Sequence, residues 1–265
     1  MARKFDAAAA ARTARIYASP EIAEQRARTR AALAARPGER GLDVGCGPGF
    51  LACELAREVG DRGRIVASDT STDMLALAGR RAKDEALEDR IAFVLADAAQ
   101  LASRAASFDF VVAVQVYLYV PAIDEALAEA ARVLRPGGRL VVVDTDWDSC
   151  VWLTADRARH RRVMEARLAD FAHPHLPPRL PALLRNAGLT LTHTAAVPVL
   201  NLRYDADSFS GGIIAPTMES AIRQGIPRDE AEAWAADLRG RTAEGDYFFS
   251  LNRYLFVARK PGASP

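Results

Sequence analysis

The chain has 265 residues, of which 50% are hydrophobic and 26% charged, and a formal net charge of +1. This length and balance predict a soluble globular protein with a large core, and they exclude a global basic field for nucleic acid. No run of residues approaches the roughly 20 apolar positions of a membrane span. The three cysteines form neither a CxxC pair nor a zinc-ligand spacing, which predicts no metal site and a cytoplasmic protein.

Helices and strands alternate through the first half of the chain. Residues 1–36 are predicted to be helical with a break at Ser19-Pro20, because serine is a preferred N-cap and proline suits the first helical position. A turn is predicted over 135–138. Alternating apolar strands and helices predict a doubly wound α/β fold whose sheet is covered on both faces. The predicted strands are 41–44, 64–68, 91–95, 108–116 and 139–144, and the predicted helices between them are 51–59, 73–87 and 122–134.

The pattern changes after residue 144. Residues 206–243 are predicted to form a mostly helical insertion, with turns at Gly211-Gly212 and at 225–227. The other elements predicted in this half are helices at 153–170 and 179–187, an extended strand at 189–204 and a final strand at 247–259.

A glycine-rich loop follows the first predicted strand. Asp43 lies near the end of that strand, and Gly45, Gly47 and Gly49 follow at alternate positions. Glycines let a ligand approach the backbone, and the next helix offers free N–H groups and a partial positive charge that suit a carboxylate. The dinucleotide-binding pattern GxGxxG places a glycine where this chain has Phe50. A carboxylate just before the loop is also unfavourable for a pyrophosphate.

Two further acidic residues follow the second and third predicted strands. Asp69 suits ribose hydroxyls, since a carboxylate accepts two hydrogen bonds. Asp97 can accept from an exocyclic amine, while the Ala98 N–H donates to a ring nitrogen. Because parallel strands bring their carboxyl ends to one edge of the sheet, Asp43, Asp69 and Asp97 together predict a nucleoside pocket at that edge.

With these motifs the sequence resembles the class I S-adenosylmethionine (SAM) dependent methyltransferases, in a small-molecule branch similar to the ubiquinone/menaquinone-biosynthesis enzymes. The resemblance covers residues 38–144 and implies a Rossmann-like, seven-stranded, mostly parallel sheet with an antiparallel last strand. The segments that carry it are 42–50, Asp69, Asp97-Ala98, 108–112 and 134–138.

The resemblance also implies a division of the chain. Residues 1–265 are expected to form one methyltransferase domain. Its expected parts are an N-terminal helical cover (1–36), a SAM-binding core (38–145), substrate-lid insertions (146–188 and 206–245) and the final strand (247–259).

The same resemblance implies which residues hold SAM. Loop glycines are expected to contact its methionine part, and the acids after the second and third strands to bind its ribose and adenine. A residue ending the fourth strand is expected to face the cofactor, and a tyrosine of the N-terminal helices to close over it. The expected cofactor-binding residues are Tyr17, Asp43, Gly45, Cys46, Gly47, Asp69, Thr70, Met74, Asp97, Ala98 and Gln115.

Methyl transfer from a sulfonium is an in-line displacement from an activated donor. Alignment alone supplies about 7–11 kcal/mol of the barrier, so a catalytic base is optional. Many relatives carry a histidine three residues after the position of Gln115, where this chain has Leu118. This departure leaves Tyr117, Tyr119 and Asp146 as the catalytic candidates.

The acceptor site is predicted from the insertions, because loops at the carboxyl edge of the sheet build the substrate pocket in this architecture. An apolar lid with few charged anchors favours a lipophilic or aromatic small molecule over protein or RNA. His173 and His175 have no carboxylate or third histidine at usable spacing, which disfavours a metal site there. The predicted acceptor residues are Trp147, Phe171, Met218, Tyr247 and Phe248.

Several functions stay open at this point. The leading hypothesis is methylation of O or N in a natural-product or quinone-like acceptor, by a monomer or homodimer. A C-methyltransferase of quinone-like type is an alternative. A protein that binds SAM without methyl transfer, as a regulatory module or a rearrangement catalyst, is compatible with Leu118. An NAD-dependent oxidoreductase is the third hypothesis, and the spacing of the loop glycines argues against it.

Overall fold

The computed structural model describes residues 7–243 and 245–262, and a mixed sheet lies at their centre. The strands of this described part are β1 (Arg40–Val44), β2 (Arg64–Asp69), β3 (Ile91–Leu95), β4 (Phe108–Val114), β5 (Leu134–Thr145), β6 (Val151–Trp152), β7 (Thr190–Asn201) and β8 (Phe249–Arg259). Its helices are α1 (Ala7–Tyr17), α2 (Pro20–Leu33), α3 (Phe50–Val59), α4 (Thr72–Asp84), α5 (Ile123–Val133), α6 (Arg157–Leu168), α7 (Leu180–Asn186), α8 (Phe209–Arg223) and α9 (Arg228–Arg239). None of these helices is long and apolar enough to cross a membrane.

The strands lie in the order β3-β2-β1-β4-β5-β8, and β1 to β5 are parallel. β8 runs antiparallel to β5 on one side and to β7 on the other. The structure therefore confirms the doubly wound, mostly parallel sheet with an antiparallel last strand. The two-residue β6, which pairs with the beginning of β8, is an addition that the sequence did not predict.

Both faces of the sheet are buried, as the apolar strands predict. Along β4, Val111 and Ala113 enter a hydrophobic cluster with α5 and α7, while Phe110 and Val112 enter a second cluster with α3 and α4. This alternation follows from the two-residue period of a strand. A third cluster, centred on Trp152 and the residues of α6, α8 and α9, covers the carboxyl half of the molecule.

Two predicted turns are wrong. Gly211 and Gly212 lie in the first turn of α8, where the Gly211 N–H donates to the Ser208 hydroxyl. A Cβ on Gly211 would stand 2.0 Å from the Asp205 carbonyl oxygen, and one on Gly212 would stand 2.7 Å from Ile16. These glycines therefore permit close packing of the helix, which is a different use of glycine from the turn that the pair predicts.

The second misread turn is the segment 135–138. These residues belong to β5, and its register against β4 shifts between the Phe108–Leu134 and Phe110–Arg139 pairs. The extra residues form an irregular segment inside the strand, in which Gly137 has a left-handed φ of 77°. Ser19 precedes α2 as predicted, yet its buried hydroxyl makes no capping hydrogen bond.

Candidate active site

A cavity of about 720 Å³ lies at the carboxyl edge of the parallel strands. Its volume is within the roughly 300–1,000 Å³ range of small-molecule sites. Residues that follow β1, β2, β3 and β4 line one part of it, and α1 and α8 contribute to the rest. The predicted cofactor residues that line it are Tyr17, Gly45, Gly47, Asp69, Thr70, Met74, Asp97, Ala98 and Gln115.

The loop after β1 depends on glycine. Gly45 and Gly47 have φ values of 65° and 51°, a left-handed conformation that costs other residues about 1–2 kcal/mol. A Cβ on Gly45 would stand 2.5 Å from the Val116 side chain, whereas one on Gly47 would meet no protein atom within 4 Å. Gly47 lines the cavity, so its open space is a cradle for a ligand that touches the backbone. The Cys46 N–H donates to the Ser68 carbonyl at 2.8 Å and ties the loop to β2.

Asp69 ends β2 and organises two neighbouring loops. Its Oδ2 accepts a hydrogen bond from the Gly47 N–H at 2.8 Å, and its Oδ1 accepts from the Ser71 N–H at 2.9 Å. Burial raises the pKa of Asp69, and these N–H groups oppose the increase. An ionised carboxylate has about four acceptor positions, so Asp69 keeps acceptor capacity for a ribose hydroxyl beside these backbone donors.

Asp97 and Gln115 lie on either side of the loop in the strand order, after β3 and β4. The Oδ1 of Asp97 accepts from the Ala99 N–H at 2.8 Å, and this turn presents the rest of the carboxylate at the cavity. Gln115 has a left-handed φ of 58°. Its amide oxygen accepts from the Thr145 hydroxyl at 2.6 Å, which fixes the side chain against β5 at the cavity wall.

Two predicted cofactor residues, Asp43 and Cys46, do not line the cavity. Asp43 is only 2% exposed, and burial together with the neighbouring charges of Asp69 and Glu54 raises its pKa to about 8. Cys46 contributes its backbone to the loop while its thiol is buried. Direct contact of these side chains with a cofactor is therefore corrected to a position behind the loop.

The raised pKa of Asp43 predicts a pH dependence of stability. Because the folded protein binds this proton more tightly than the unfolded chain, the contribution is fully present below about pH 4 and is lost as the pH rises towards about 8. Urea unfolding of the wild type should therefore give a free energy of unfolding that falls across this range. Asp43→Asn should flatten that slope, and the exposed control Asp207→Asn should keep it. An equal slope in the wild type and Asp43→Asn would contradict the assignment.

The other part of the cavity is aromatic and cationic. Tyr119 and Trp147 line it, together with Phe209 and Ile213 of α8. Tyr119 and Trp147 both pack on Phe171, with ring centroids 5.2 and 5.0 Å apart. Three arginines line the same cavity, from α1, α6 and β8: Arg12, Arg167 and Arg253. The prediction of few charged anchors is therefore wrong, because these arginines lie far apart in the sequence and converge only in the fold.

Of the three catalytic candidates, only Tyr119 lines the cavity. Tyr117 is fully buried in the core, and burial raises the pKa of its hydroxyl. Asp146 caps a short helical turn, since its Oδ1 accepts from the Asp148 N–H at 3.2 Å. The structure therefore does not bring Tyr117 and Asp146 to the lining of the cavity.

Of the predicted acceptor residues, Trp147 lines the cavity and the other four do not. Phe171 supports Trp147 and Tyr119 from behind. The Tyr247 hydroxyl donates to Ser210 at 2.8 Å inside the third cluster, in which Met218 also packs. Phe248 is 38% exposed on the outer surface. The apolar character of these residues predicts that they belong to the helical cover. It does not predict which of their side chains face the cavity.

The fold brings two carboxylates to His175, which corrects the sequence-based argument that none accompanies it. His175 Nδ1 lies 3.2 Å from Asp146 Oδ1 and 3.2 Å from Asp148 Oδ2. The three side chains could present ligand atoms within 4.8 Å of one another. The group is partly exposed, and its own hydrogen bonds account for its arrangement.

The strand order and the glycine loop, with acids at the ends of β2 and β3, define a nucleoside-binding α/β domain of the class I methyltransferase type. Residues 42–142 match the family model described as a methyltransferase domain. This region of the chain is thus a class I SAM-dependent methyltransferase domain.

Two of three relatives described here are named as methyltransferases, and the third is uncharacterized. The chain is 32% identical over 234 residues to an uncharacterized 37.1 kDa protein in a transposon of Streptomyces fradiae, a match that covers 86% of this chain and 64% of that protein. It is 43% identical over 107 residues to the methyltransferase GfsG of Streptomyces halstedii, covering 40% of this chain and 38% of that protein. It is 36% identical over 110 residues to the ubiquinone/menaquinone biosynthesis C-methyltransferase UbiE of Vibrio campbellii, covering 42% of each. The chain therefore spans less than two thirds of the length of each relative.

Solved structures share the fold over most of the chain. A putative methyltransferase from Bacillus halodurans aligns with a TM-score of 0.66 and 20% identity, covering 90% of this chain and 99% of that one. The [4+2]-cyclase SpnF aligns with a TM-score of 0.61 and 23% identity, covering 91% of this chain and 82% of that one. At these identities the likeness concerns the fold.

Proposed function

We propose that the protein transfers the methyl group of SAM to an oxygen or nitrogen atom of a small, lipophilic or aromatic acceptor. The observation that carries this proposal is the convergence of three features on one cavity: the open cradle at Gly47, the carboxylates of Asp69 and Asp97, and an aromatic wall at Tyr119 and Trp147. The cavity is large enough to hold a cofactor and part of an acceptor together. Segments 146–188 and 206–245 would then supply most of the acceptor side.

Residues of this chain fit the parts of SAM, which supplies an activated methyl group when bound. The loop at Gly45 and Gly47 would hold the methionine part, Asp69 the ribose hydroxyls and Asp97 the adenine amine. The N–H groups at the start of α3 lie beside the loop and favour a carboxylate.

The acceptor side would work mainly by alignment. Tyr119 and Trp147 form flat surfaces that fix the acceptor and exclude water, and correct alignment supplies about 7–11 kcal/mol of the barrier. Tyr119 is the only catalytic candidate of the described residues that can touch the acceptor, where its hydroxyl would orient the nucleophile by a hydrogen bond. No histidine of the described residues lines the cavity, so acceptors that are readily deprotonated suit this site best.

Calorimetry and turnover test the proposal in two steps. SAM and S-adenosylhomocysteine should each bind the purified chain, and incubation of SAM with phenolic or amine acceptors should release S-adenosylhomocysteine. Failure of both compounds to bind would refute the cofactor half. Binding without any release would favour the second candidate described below.

The second candidate is a SAM-binding protein that catalyses a rearrangement or acts as a regulator. The observation in its favour is Leu118, a fully buried apolar residue at the position where many relatives carry a histidine. The [4+2]-cyclase with the same fold adds to its support. Conversion of an acceptor without release of S-adenosylhomocysteine would select it, and a methylated carbon in the product would select the quinone-like C-methyltransferase alternative.

Gly47→Ala tests the cradle with a minimal change. Its methyl group would meet no protein atom but would project into the open space of the loop, so we expect about tenfold weaker binding of SAM. Gly188→Ala is the matched control, because Gly188 follows α7 with a φ of 76°, has no atom within 4 Å of the added carbon and does not line the cavity. Both variants should lose about 1–2 kcal/mol of stability from the left-handed backbone. Equal SAM affinity in the two would contradict the role of Gly47.

A further inference from the structure

Arg253 is a buried cation in the wall of the cavity. It lies in β8, opposite Thr145 of β5 and Val197 of β7, and is only 4% exposed although it lines the cavity. Burial lowers the pKa of Arg253 to about 10, so the guanidinium stays charged at neutral pH. A buried charge is costly unless a counter-charge or hydrogen bonds compensate it.

The partners of this guanidinium leave its charge unmatched. Its Nη1 donates to the Gln25 amide oxygen, its central carbon lies 4.6 Å from the Phe209 ring, and its buried Nε has no acceptor. Among the described residues, no carboxylate forms an ion pair with it. The charge of Asp144 raises the pKa of Arg253, but the two side chains form no ion pair in the described part of the chain.

The other two cavity arginines already have carboxylate partners. Arg12 pairs with Glu219 at 2.9 Å, and Arg167 pairs with Asp170 at 2.5 Å. Arg253 therefore differs from both: it is buried as deeply as Arg167 but has no anion of its own. A site built in this way gains most from an anion that arrives with a ligand.

The position of Arg253 assigns it to the acceptor. The loops that fit SAM follow β1, β2, β3 and β4, whereas β8 lies two strands beyond β4, the last of these in the strand order. Strands are about 4.8 Å apart, so this separation is about 10 Å. Tyr119 of the aromatic wall lies close enough to raise the pKa of Arg253, and both residues line the cavity.

We propose that Arg253 binds a carboxylate on the acceptor, so that the substrates of this enzyme are aromatic or lipophilic acids. This inference rests on the proposed function and names its substrate class. Nη1 of the guanidinium donates to Gln25 and Nε is buried, whereas Nη2 makes no hydrogen bond to the described residues and is the donor left for a carboxylate in the cavity. Arg253 thereby fixes the distance between the acidic group of the acceptor and the atom that receives the methyl group.

Benzoate and benzamide test this inference because they share size and shape and differ in charge. The full chain is saturated with S-adenosylhomocysteine and titrated with each compound by calorimetry. We expect benzoate to bind the wild type about tenfold more tightly or better, which is the usual gain from hydrogen bonds to a charged group. Arg253→Gln should abolish this preference. Arg259→Gln, the same change at an exposed position of the same strand, should keep it.

The affinity for S-adenosylhomocysteine separates the possible failures. If the wild type does not bind S-adenosylhomocysteine, the proposed function itself fails. If it binds but shows no preference for benzoate over benzamide, or binds neither, the carboxylate inference alone is overturned. A large loss of S-adenosylhomocysteine affinity in Arg253→Gln, with a normal circular dichroism spectrum, would assign Arg253 to the cofactor and would also overturn it.

Two further arms complete the experiment. Phenyl phosphate is titrated in parallel, and tighter binding of the phosphate than of benzoate would overturn the choice of a carboxylate. If Arg253→Gln does not fold, Arg253→Lys is used instead. Lysine keeps the positive charge but lacks the planar set of N–H donors of a guanidinium. That variant should show a reduced preference for benzoate, and an unchanged preference would count against the inference.

Discussion

Asp69→Ala is expected to raise the dissociation constant of SAM by about a hundredfold. The carboxylate would accept hydrogen bonds from the ribose, and bonds to a charged group contribute about 1.5–3 kcal/mol each. The same side chain accepts from the Gly47 N–H at 2.8 Å and from the Ser71 N–H at 2.9 Å, so its removal also loosens the loop that would hold the methionine part. Calorimetry with SAM and with S-adenosylhomocysteine measures the change.

Two variants frame this result. Asp69→Asn keeps one acceptor oxygen and should give an intermediate loss. Asp73→Ala, in the first turn of α4 and outside the cavity lining, should leave the affinity unchanged. A dissociation constant in Asp69→Ala within about twofold of the wild type would refute the ribose assignment.

Arg139→Met is expected to lower the free energy of unfolding by about 3–5 kcal/mol, because it leaves a partly buried carboxylate without its counter-charge. Arg139 lies where the regular pairing of β5 with β4 begins, and it is only 8% exposed. Its guanidinium pairs with Glu39 at 2.7 Å and donates to the carbonyls of Leu33 at 2.5 Å and Ala34 at 2.9 Å. It therefore compensates the carbonyls at the end of α2 and fastens this helix to the sheet. Urea unfolding followed by circular dichroism gives the change.

Matched substitutions separate the buried pair from loss of charge. Arg139→Met combined with Glu39→Met should recover part of the stability, since the carboxylate that was left unpaired is gone. Arg28→Met removes an exposed ion pair with Glu24, in which the two side chains are 50% and 63% exposed, and should change stability by less than about 1 kcal/mol. Similar losses in Arg139→Met and Arg28→Met would show that the buried pair adds nothing.

The elements around the sheet were well predicted because their signals are local. The five parallel strands are short apolar runs bounded by glycine, proline or acidic residues, and their predicted positions differ from the observed ones mainly by a residue or two at the ends. The largest difference is β5, which begins at Leu134 and includes the irregular segment 135–138. The signal there, Pro136-Gly137-Gly138, is the same for a turn before a strand and for an irregular segment within one. The pairing of Leu134 and Arg139 with β4, on either side of the segment, places it within the strand.

The cofactor side could be predicted further than the acceptor side for a topological reason. Gly47, Asp69 and Asp97 each follow directly after a strand, and a parallel sheet brings such positions to one edge whatever the helices do. The position of Tyr119 at the cavity could be predicted for the same reason, because Tyr119 lies just beyond β4. Residues whose exposure depends on helix packing, such as Tyr247 and Phe171, were correctly identified as apolar cover but assigned to the wrong face.

The amino-acid sequence by itself determined the class of fold, the edge of the sheet where a ligand binds and the likeness to SAM-dependent methyltransferases, because each depends on short motifs at strand ends. Only the tertiary structure decided which acids face the cavity and which, like Asp43, are buried behind it. It also brought together Arg12, Arg167 and Arg253, which come from α1, α6 and β8. No periodicity marks these arginines, since their convergence and the missing counter-charge of Arg253 arise from how distant elements pack.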